Sequence, residues 1–205
     1  MADRQQQKRQ DQKRQDQKRQ TVLDAALVAF SRYGFRRTSM EDIAQAAGVS
    51  RPALYLMFDN KEDVFRTLSQ TLLTLAVDRA EAALGADGPF VERLSDAIRA
   101  KEAVLFEVIH GSPHGAELID MNAQMAADIT QEAEARYGGI LTDAIAAAAA
   151  RGEVDLTRSG LDAPTVADLI VRAVHGMKTP IPDDPKAFTD RLSSLIGLIG
   201  ASLSR

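Results

Sequence analysis

Cysteine is absent from the 205-residue sequence, which excludes disulfides, thiol redox sensing and cysteine-ligated zinc. Long apolar runs are missing as well. The longest nearly apolar stretch, residues 195–203, is far shorter than the roughly 20 residues that a membrane helix needs. No apolar segment follows the charged N-terminus, as a secretory signal would require. We therefore expect a cytoplasmic, nucleoid-associated protein that has no membrane contact.

Catalytic and cofactor-binding motifs are also lacking. The sequence contains no nucleophile elbow, P-loop, zinc-protease helix motif or dinucleotide fingerprint, and its carboxylates are scattered along helical stretches. His110 and His114 have the i, i+4 spacing of a metal pair, but Gly111, Ser112 and Pro113 break the helix that would align them. We therefore predict no enzyme activity, no metal site and no cofactor.

The most informative stretch, TSMEDIAQAAGVSRPALYLMF, predicts two short helices joined by a tight turn. Gly48 follows a helix-forming segment and suits a left-handed helix terminator. Ser50 is then a good N-cap for a second helix, with Pro52 in its first turn. Thr38 and Glu41 have the spacing of a capping box at the start of the first helix. Because both helices have marked ends, the stretch predicts a helix-turn-helix.

This stretch and its surroundings resemble the DNA-binding domain of the tetracycline-repressor (TetR) family of bacterial transcription regulators. The resemblance covers residues 21–68 and rests on the order and spacing of Ala25-Ala26, Phe30, Gly34, Thr38, Ile43-Ala44, Ala47-Gly48-Val49-Ser50, Leu54-Tyr55, Phe58, Lys61 and Val64-Phe65. It implies an all-α protein with a three-helix N-terminal helix-turn-helix domain and a helical C-terminal ligand-binding and dimerisation domain. The predicted boundaries are 1–20 for a basic arm, 21–66 for the DNA-binding domain and 67–205 for the effector-binding and dimerisation domain.

The resemblance also implies roles for single residues. Arg51, Pro52 and Ala53 would face base edges in the major groove, and Arg51 is the best candidate for a guanine contact. Met57 stands where the family usually has a polar aromatic residue or histidine, which puts one phosphate contact in doubt. The partner would be a palindromic double-stranded DNA operator, bound by a homodimer. Its phosphates would be held by Thr38, Ser39, Ser50, Tyr55 and Lys61.

Charge is distributed unevenly along the chain. Residues 1–61 hold 12 Lys/Arg and 7 Asp/Glu, whereas the remaining residues hold 13 and 22. Residues 7–20 are a pentapeptide repeat, QKRQDQKRQDQKRQ, which has no apolar residue and no amphipathic face. We predict a mobile or marginally helical extension. It is either a solvated low-complexity tail or an arm that contacts phosphates or a minor groove through Arg4, Lys8, Arg9, Lys13, Arg14, Lys18 and Arg19.

Apolar periodicity predicts helices along the rest of the chain. A first helix should run from Gln20 to Tyr33 and end at Gly34, and another should begin near Asp59-Asn60 and end near residue 84. Five more are expected at about 90–110, 114–136, 138–151, 163–178 and 185–203. The breakers between them are Gly111-Ser112-Pro113, Gly138-Gly139, Gly152 and Pro180-Ile181-Pro182.

The last two predicted helices carry apolar stripes, and Gly197 and Gly200 would let another helix approach closely. The resemblance favours burial of both stripes in a four-helix dimer interface, and burial within one chain is the alternative. The predicted interface consists of Val166, Leu169, Ile170, Ala173, Val174, Met177, Phe188, Leu192, Leu195, Ile196 and Ile199.

A pocket for a small-molecule effector of unknown identity is also implied by the resemblance. Bulky, soft side chains with one polar group suit a mostly apolar ligand, although ordinary core is an alternative for each of them. The candidates are Phe90, Phe106, His110, Met121 and Met125. The function implied is a repressor released from its operator by the effector. The alternatives are a regulator or activator without an effector, and a protein that coats DNA without regard to sequence.

Overall fold

The computed structural model describes residues 2–157, 159–178 and 184–203, apart from the side chains of residues 2–4 and 185. Within those ranges every regular element is an α-helix, as the all-α prediction requires. The helices are α1 (Ala2–Tyr33), α2 (Met40–Ala46), α3 (Arg51–Tyr55), α4 (Lys61–Leu84), α5 (Phe90–His110), α6 (Gly115–Met125), α7 (Ala127–Ala150), α8 (Ala163–Gly176) and α9 (Pro185–Leu203). None of these described helices is both long and apolar enough to cross a membrane.

The chain forms two compact units, and each of them combines two separate stretches of the sequence. The first unit comprises Met1–Thr71 and Gly111–Ala127, and the second comprises Leu72–His110 and Asp128–Arg205. Helix α6 therefore belongs with the N-terminal helices, although it lies between α5 and α7 in the sequence. The predicted boundaries of the arm, the DNA-binding domain and the effector-binding domain stay a prediction.

The first unit has an apolar core in which three aromatic rings meet. Phe30 of α1, Phe35 in the following turn and Phe65 of α4 are buried, with ring centroids 5.2 to 5.8 Å apart. Each such pair stabilises by about 0.5–1.5 kcal/mol beyond its area burial. Gly34 ends α1 with a φ of 84°, which confirms the predicted glycine terminator and the inward position of Phe35.

Helix α1 is much longer than predicted. It begins at Ala2 instead of Gln20, so the basic repeat is a continuous extension of the helix that ends at Tyr33. The repeat contains no alanine, but it consists of Gln, Lys, Arg and Asp, and the first three of these are good helix formers. The expectation of a mobile or marginal extension is replaced by a helical one. The side chain of Arg4 lies outside the described residues.

The second unit is built around a core shared by α4, α5, α7, α8 and α9. Helix α5 spans Phe90–His110 as predicted, but the next two predicted helices are wrong. The break lies at Ala126, and the Gly138-Gly139 pair continues inside α7. Glycine costs only about 1 kcal/mol in a helix, and burial of Tyr137 and Leu141 on the same helix outweighs that cost. The predicted breaker Pro180-Ile181-Pro182 lies outside the described residues.

The apolar stripes of α8 and α9 are mostly buried within the chain. Six predicted interface residues lie in the core of the second unit, and Leu195, Ile199 and Met177 pack against it. Burial of six of these residues within the chain matches the alternative that the sequence left open, and the dimer interface predicted for the whole set stays a prediction. Gly200 permits the close approach of α5 from the same chain, since a Cβ there would lie 2.9 Å from Val91. The six stripe residues in the core of the second unit are Val166, Ile170, Val174, Phe188, Leu192 and Ile196.

Candidate DNA-binding surface

The start of α2 is fixed by a capping box one residue later than predicted. Ser39 is the N-cap: its hydroxyl accepts from the backbone N–H of Asp42, and the Asp42 carboxylate accepts from the Ser39 N–H at 2.8 Å. The Ser39 hydroxyl also donates to Asp42 at 2.6 Å, and these hydrogen bonds lower the pKa of the Asp42 carboxyl. The predicted pair of Thr38 and Glu41 is therefore wrong, because Thr38 is buried just before the helix.

Gly48 ends α2 in the left-handed conformation, as predicted, and the turn between α2 and α3 is a Schellman motif. Gly48 has a φ of 65° and its N–H donates to Gln45 O at 3.2 Å. The Val49 N–H donates to Ala44 O at 3.0 Å. Two carbonyls at the end of α2 are thereby satisfied, and the chain is turned sharply toward α3.

Helix α3 is short, but both of its ends are held. The Ser50 hydroxyl accepts from the Ala53 N–H at 3.3 Å, and Pro52 lies in the first turn, as predicted. Leu54 is fully buried, and the Phe58 N–H donates to Leu54 O at 3.0 Å just after the helix. A helix of five residues is held by such packing and capping rather than by its own propensity.

The outward side of α3 carries the predicted base-contacting residues. Arg51 and Pro52 are exposed, Ala53 is partly exposed, and Tyr55 is exposed near the end of the helix. The Arg51 guanidinium lies 3.4 Å from the carboxylate of Glu41, with both side chains largely in solvent. Exposed ion pairs of this kind contribute little, so the guanidinium can exchange Glu41 for another acceptor.

Two of the residues predicted to hold phosphates have hydrogen-bond partners within the chain. The Thr38 hydroxyl is buried and donates to Gly34 O at 2.7 Å, so its side chain is not available to a phosphate. Thr38 instead stabilises the turn after α1. The Lys61 ammonium donates to Phe35 O at 2.8 Å and lies 4.3 Å from the centroid of the Phe35 ring. An ammonium has three donors and Phe35 O takes one of them, so Lys61 can still donate to a phosphate. Ser39 and Tyr55 are exposed at the surface.

Arg19, predicted as an arm residue, has a structural position instead. Its guanidinium donates to Met57 O at 2.9 Å and stacks over the Phe58 ring at 4.3 Å. It also donates to the Thr67 hydroxyl at 3.4 Å. Arg19 thus connects α1 with the segment after α3 and with α4. Lys13, Arg14 and Lys18, by contrast, are exposed.

Helix α6 is bonded to the same unit by contacts that the sequence did not indicate. The Ser112 hydroxyl donates to Ser31 O at 2.7 Å, and the Glu117 carboxylate accepts from the Arg36 N–H at 2.8 Å. The Arg66 guanidinium donates to Met125 O. The first two pairs are separated by 81 residues in the chain, so no local pattern could have revealed them.

The predicted effector-contacting residues are divided between the two units. Phe90 is in the core of the second unit, where Phe106 stacks on Phe188 with ring centroids 5.5 Å apart. The His110 ring is tilted by 40° against Phe106, with centroids 4.2 Å apart. Met121 and Met125 belong to the first unit. A role of these five residues in ligand binding stays a prediction.

A buried ionic cluster in the second unit was not predicted. Glu102 is 4% exposed and accepts from Lys101 at 2.9 Å and from Lys178 at 3.0 Å. Burial opposes its ionisation, but the two ammonium groups outweigh that effect and lower the pKa of the Glu102 carboxyl. Lys101 also lies 4.9 Å from the Tyr137 ring centroid. A buried charge in an apolar bundle requires such partners.

Residues 22–68 match the profile described as "Bacterial regulatory proteins, tetR family". Among curated proteins, the chain is 33% identical over 79 residues to the uncharacterized HTH-type transcriptional regulator YhgD of Bacillus subtilis, covering 38% of this chain and 41% of that protein. It is 34% identical over 70 residues to the HTH-type transcriptional repressor ComR of Escherichia coli, covering 34% and 33%. The chain therefore spans less than half the length of these curated relatives.

A solved structure extends the similarity of fold over nearly the whole chain. The crystal structure of the transcriptional regulator FadR from Bacillus subtilis in complex with stearoyl-CoA superposes with a TM-score of 0.64. The match covers 90% of this chain and 98% of FadR at 21% identity. At that identity the likeness describes the fold alone. The profile match, the relatives and the helix-turn-helix geometry agree, and the chain belongs to the tetR family of bacterial regulatory proteins.

Proposed function

We propose that the protein is a sequence-specific DNA-binding transcription regulator that acts as a homodimeric repressor. The observation that supports this proposal best is α3, whose ends are held by the Ser50 cap and the buried Leu54. Its exposed side offers Arg51 and Tyr55 from a fixed backbone. A helix presented in this way can enter a major groove about 12 Å wide.

Arg51 is proposed as the base-reading residue. A guanidinium can donate two parallel hydrogen bonds to guanine O6 and N7, and such a pair discriminates bases by about 1–3 kcal/mol. Tyr55 and Ser39 would hold phosphates and so fix the register of α3 on the DNA. Lys61 would add a phosphate contact while its ammonium remains bonded to Phe35 O.

Dimerisation is proposed because a helix-turn-helix dimer reads two half-sites about 34 Å apart on a palindromic operator. With most of the predicted stripes buried within the chain, the interface would use what remains exposed on α8 and α9. Leu169 is 51% exposed and Leu198 is 71% exposed. We expect Leu198→Glu to yield monomers in analytical ultracentrifugation, whereas Val28→Glu, at an exposed apolar position of α1, should leave the dimer intact.

The proposal includes release of the repressor from its operator by a small molecule. FadR of Bacillus subtilis, which shares the fold, was solved in complex with stearoyl-CoA, and ComR is named a repressor. The effector would favour one of two conformations that differ in affinity for the operator, since only differential binding can shift such an equilibrium. A cytoplasmic, nucleoid-associated location follows from binding to chromosomal operators. Both curated relatives are named regulators, and we propose no enzyme activity.

The test is DNase protection of the DNA upstream of the coding sequence, at near-physiological salt with excess non-specific competitor. Protection of a palindromic segment is expected. Arg51→Ala should then weaken operator binding by about 1–3 kcal/mol and relax base preference at one position per half-site. Tyr55→Phe should weaken operator and non-operator duplexes alike. Binding that bulk DNA abolishes would favour a DNA-coating protein, and a footprint that no small molecule removes would favour a regulator without an effector.

A further inference from the structure

The polar part of α1 has no packing partner of its own. Residues 5–18 are exposed on every side, and none of them is apolar. At 1.5 Å per residue these 14 residues extend the helix by about 21 Å. A helix without an apolar face gains nothing from apolar packing, so it is held by its own side-chain pairs, such as Gln12 with Asp16, and its exposed charges are open to a polar partner.

The base of this extension is anchored beside α3. Arg19 bonds to Met57 O and stacks on Phe58, which fixes the direction of the extension relative to the rest of the first unit. A groove of about 350 Å³ separates the extension from the end of α3. One wall includes Leu56, the C-cap of α3, which is 87% exposed and directly follows Tyr55. The other wall is formed by Gln12, Gln15, Asp16 and Arg19.

The charge of the extension matches a polyanion. Residues 2–20 contain seven Lys/Arg and three Asp, a net charge of +4 in a chain whose net charge is -4. The Lys-Arg pairs recur every five residues, so successive pairs are rotated by about 140° around the helix. Every side of the helix therefore presents about one pair. A linear polyanion lying along one side of the helix would meet about two of the cations between Arg4 and Arg19. These cations are Lys8, Arg9, Lys13, Arg14 and Lys18.

Helix width decides where on DNA these contacts can form. An α-helix with its side chains is about 10–12 Å across, whereas the minor groove is about 6 Å wide. The extension cannot enter a minor groove as an unfolded arm could. The adjacent α3 is the element proposed to occupy the major groove, and the phosphates that border it are the nearest anions.

We propose that residues 5–18 form a rigid cationic helix that contacts the sugar–phosphate backbone of duplex DNA beside the segment read by α3. This inference rests on the proposed function and adds a second DNA-contacting element to it. The extension raises affinity for all sequences alike and adds no base specificity. The groove next to Leu56 leaves room for the bordering backbone strand, and Asp16 at its edge reduces the attraction.

The first test is the salt dependence of binding. Each phosphate contact contributes about 0.9 to the slope of log K against log salt concentration. Replacement of Lys8, Arg9, Lys13 and Arg14 with Gln keeps helix-forming residues and should lower the slope by about 2 for each bound chain, which is about 4 for the proposed dimer. A control that removes two cations from exposed positions of the second unit, Arg79→Gln with Arg99→Gln, should leave the slope unchanged. An unchanged slope in the four-residue variant would overturn the proposal.

The second test separates a rigid helix from a flexible polycation. Gln10→Pro keeps every charge but interrupts α1, whereas Gln10→Ala keeps both charge and helix. Weaker binding by the proline variant alone supports the helical element. Equal binding by the two variants would mean that the cations act without the helix, which contradicts the proposal.

The third test concerns Asp16, which accepts a hydrogen bond from Gln12 at 2.9 Å. Asp24, away from the groove, accepts one from Gln20 at 2.8 Å and provides a matched control. Asp16→Asn should tighten DNA binding about 2-fold to 5-fold, because it removes a carboxylate next to the backbone, and Asp24→Asn should change it less. Equal effects of both substitutions would indicate net charge alone and count against the groove.

All variants are measured in the full chain on two duplexes of equal length, the protected segment and its scrambled sequence. If the wild-type protein shows no preference between them, the proposed function fails, and the slope on either duplex still tests the extension. If the wild-type protein prefers the protected segment but the slope does not depend on the extension, only the inference about the extension fails.

Discussion

Substitution of Arg19 tests whether this residue supports the fold or holds DNA. In the structure its guanidinium is half-buried, with one N–H on Met57 O at 2.9 Å and the cation over the Phe58 ring at 4.3 Å. A hydrogen bond from a charged donor contributes about 1.5–3 kcal/mol, and a partly exposed cation–π contact about 0.5–1 kcal/mol. Because the two share one side chain they are not fully additive, so Arg19→Ala should destabilise by about 2–3 kcal/mol.

Arg19→Lys separates charge from geometry in the same position. Lysine retains the positive charge but lacks the planar fork that reaches a carbonyl while stacking on an aromatic ring. We expect it to recover less than half of the loss. The free energy of unfolding is measured by urea denaturation, with hydrogen exchange used to localise the change to α1, the segment after α3 and the start of α4. Localisation is required because two compact units need not unfold in one step.

The neighbouring Lys18 provides the control. It is exposed, so Lys18→Ala should change stability by no more than about 0.5 kcal/mol. An Arg19→Ala variant as stable as the wild type would refute the structural interpretation of Arg19. If Arg19→Ala left stability unchanged and lowered the salt slope of DNA binding by about 0.9, the guanidinium would be a phosphate ligand.

Three further outcomes follow from the geometry. Gly48→Ala should cost about 1–2 kcal/mol from its positive φ alone, since its Cβ would meet open space. Gly34→Ala should cost more in the same urea experiment, because its Cβ would also displace the Glu117 carboxylate. Glu102→Gln should destabilise by about 3 kcal/mol at neutral pH by leaving two lysines without their carboxylate. The pKa of Glu102 is lowered from 4.5, so this contribution is present above pH 4.5 and lost as pH falls through the folded-state pKa. The difference between wild type and Glu102→Gln should therefore narrow in unfolding experiments below about pH 4.5.

The local signals in the sequence were sufficient for the core of the helix-turn-helix. Gly34 and Gly48 have the positive φ values that their positions between helix-forming segments indicated. Ser50 and Pro52 begin α3 as predicted. Each of these features depends on backbone conformation within a few residues, which is the range over which sequence patterns carry information.

The capping box at α2 shows where such local signals become ambiguous. Thr38 and Ser39 are both good N-caps, and Glu41 and Asp42 both have carboxylates at the right spacing. The choice is made by tertiary packing, because Thr38 is buried with its hydroxyl on Gly34 O. That burial depends on the turn after α1, and nothing in the four-residue pattern reports it.

The apolar stripes of α8 and α9 show a second limit. A stripe of helical period establishes that one side of a helix is buried, but it does not identify the partner. Here the partner for most of both stripes is the same chain, including Phe90 and Leu94 of α5. Likewise, nothing near Arg19 or Glu117 in the sequence indicates a partner such as Met57 or Arg36, because those contacts join distant segments.

The placement of α6 in the first unit means that the DNA-binding part of this chain is not a portable module. A fragment that ends at Thr71 would lose the carboxylate of Glu117 from the Arg36 N–H, the Ser112 hydroxyl from Ser31 O, and the carbonyl that receives Arg66. Gene fusion or recombination at that point would therefore transfer an incomplete domain. A transplanted helix-turn-helix would need the segment Gly111–Ala127 to be transferred with it.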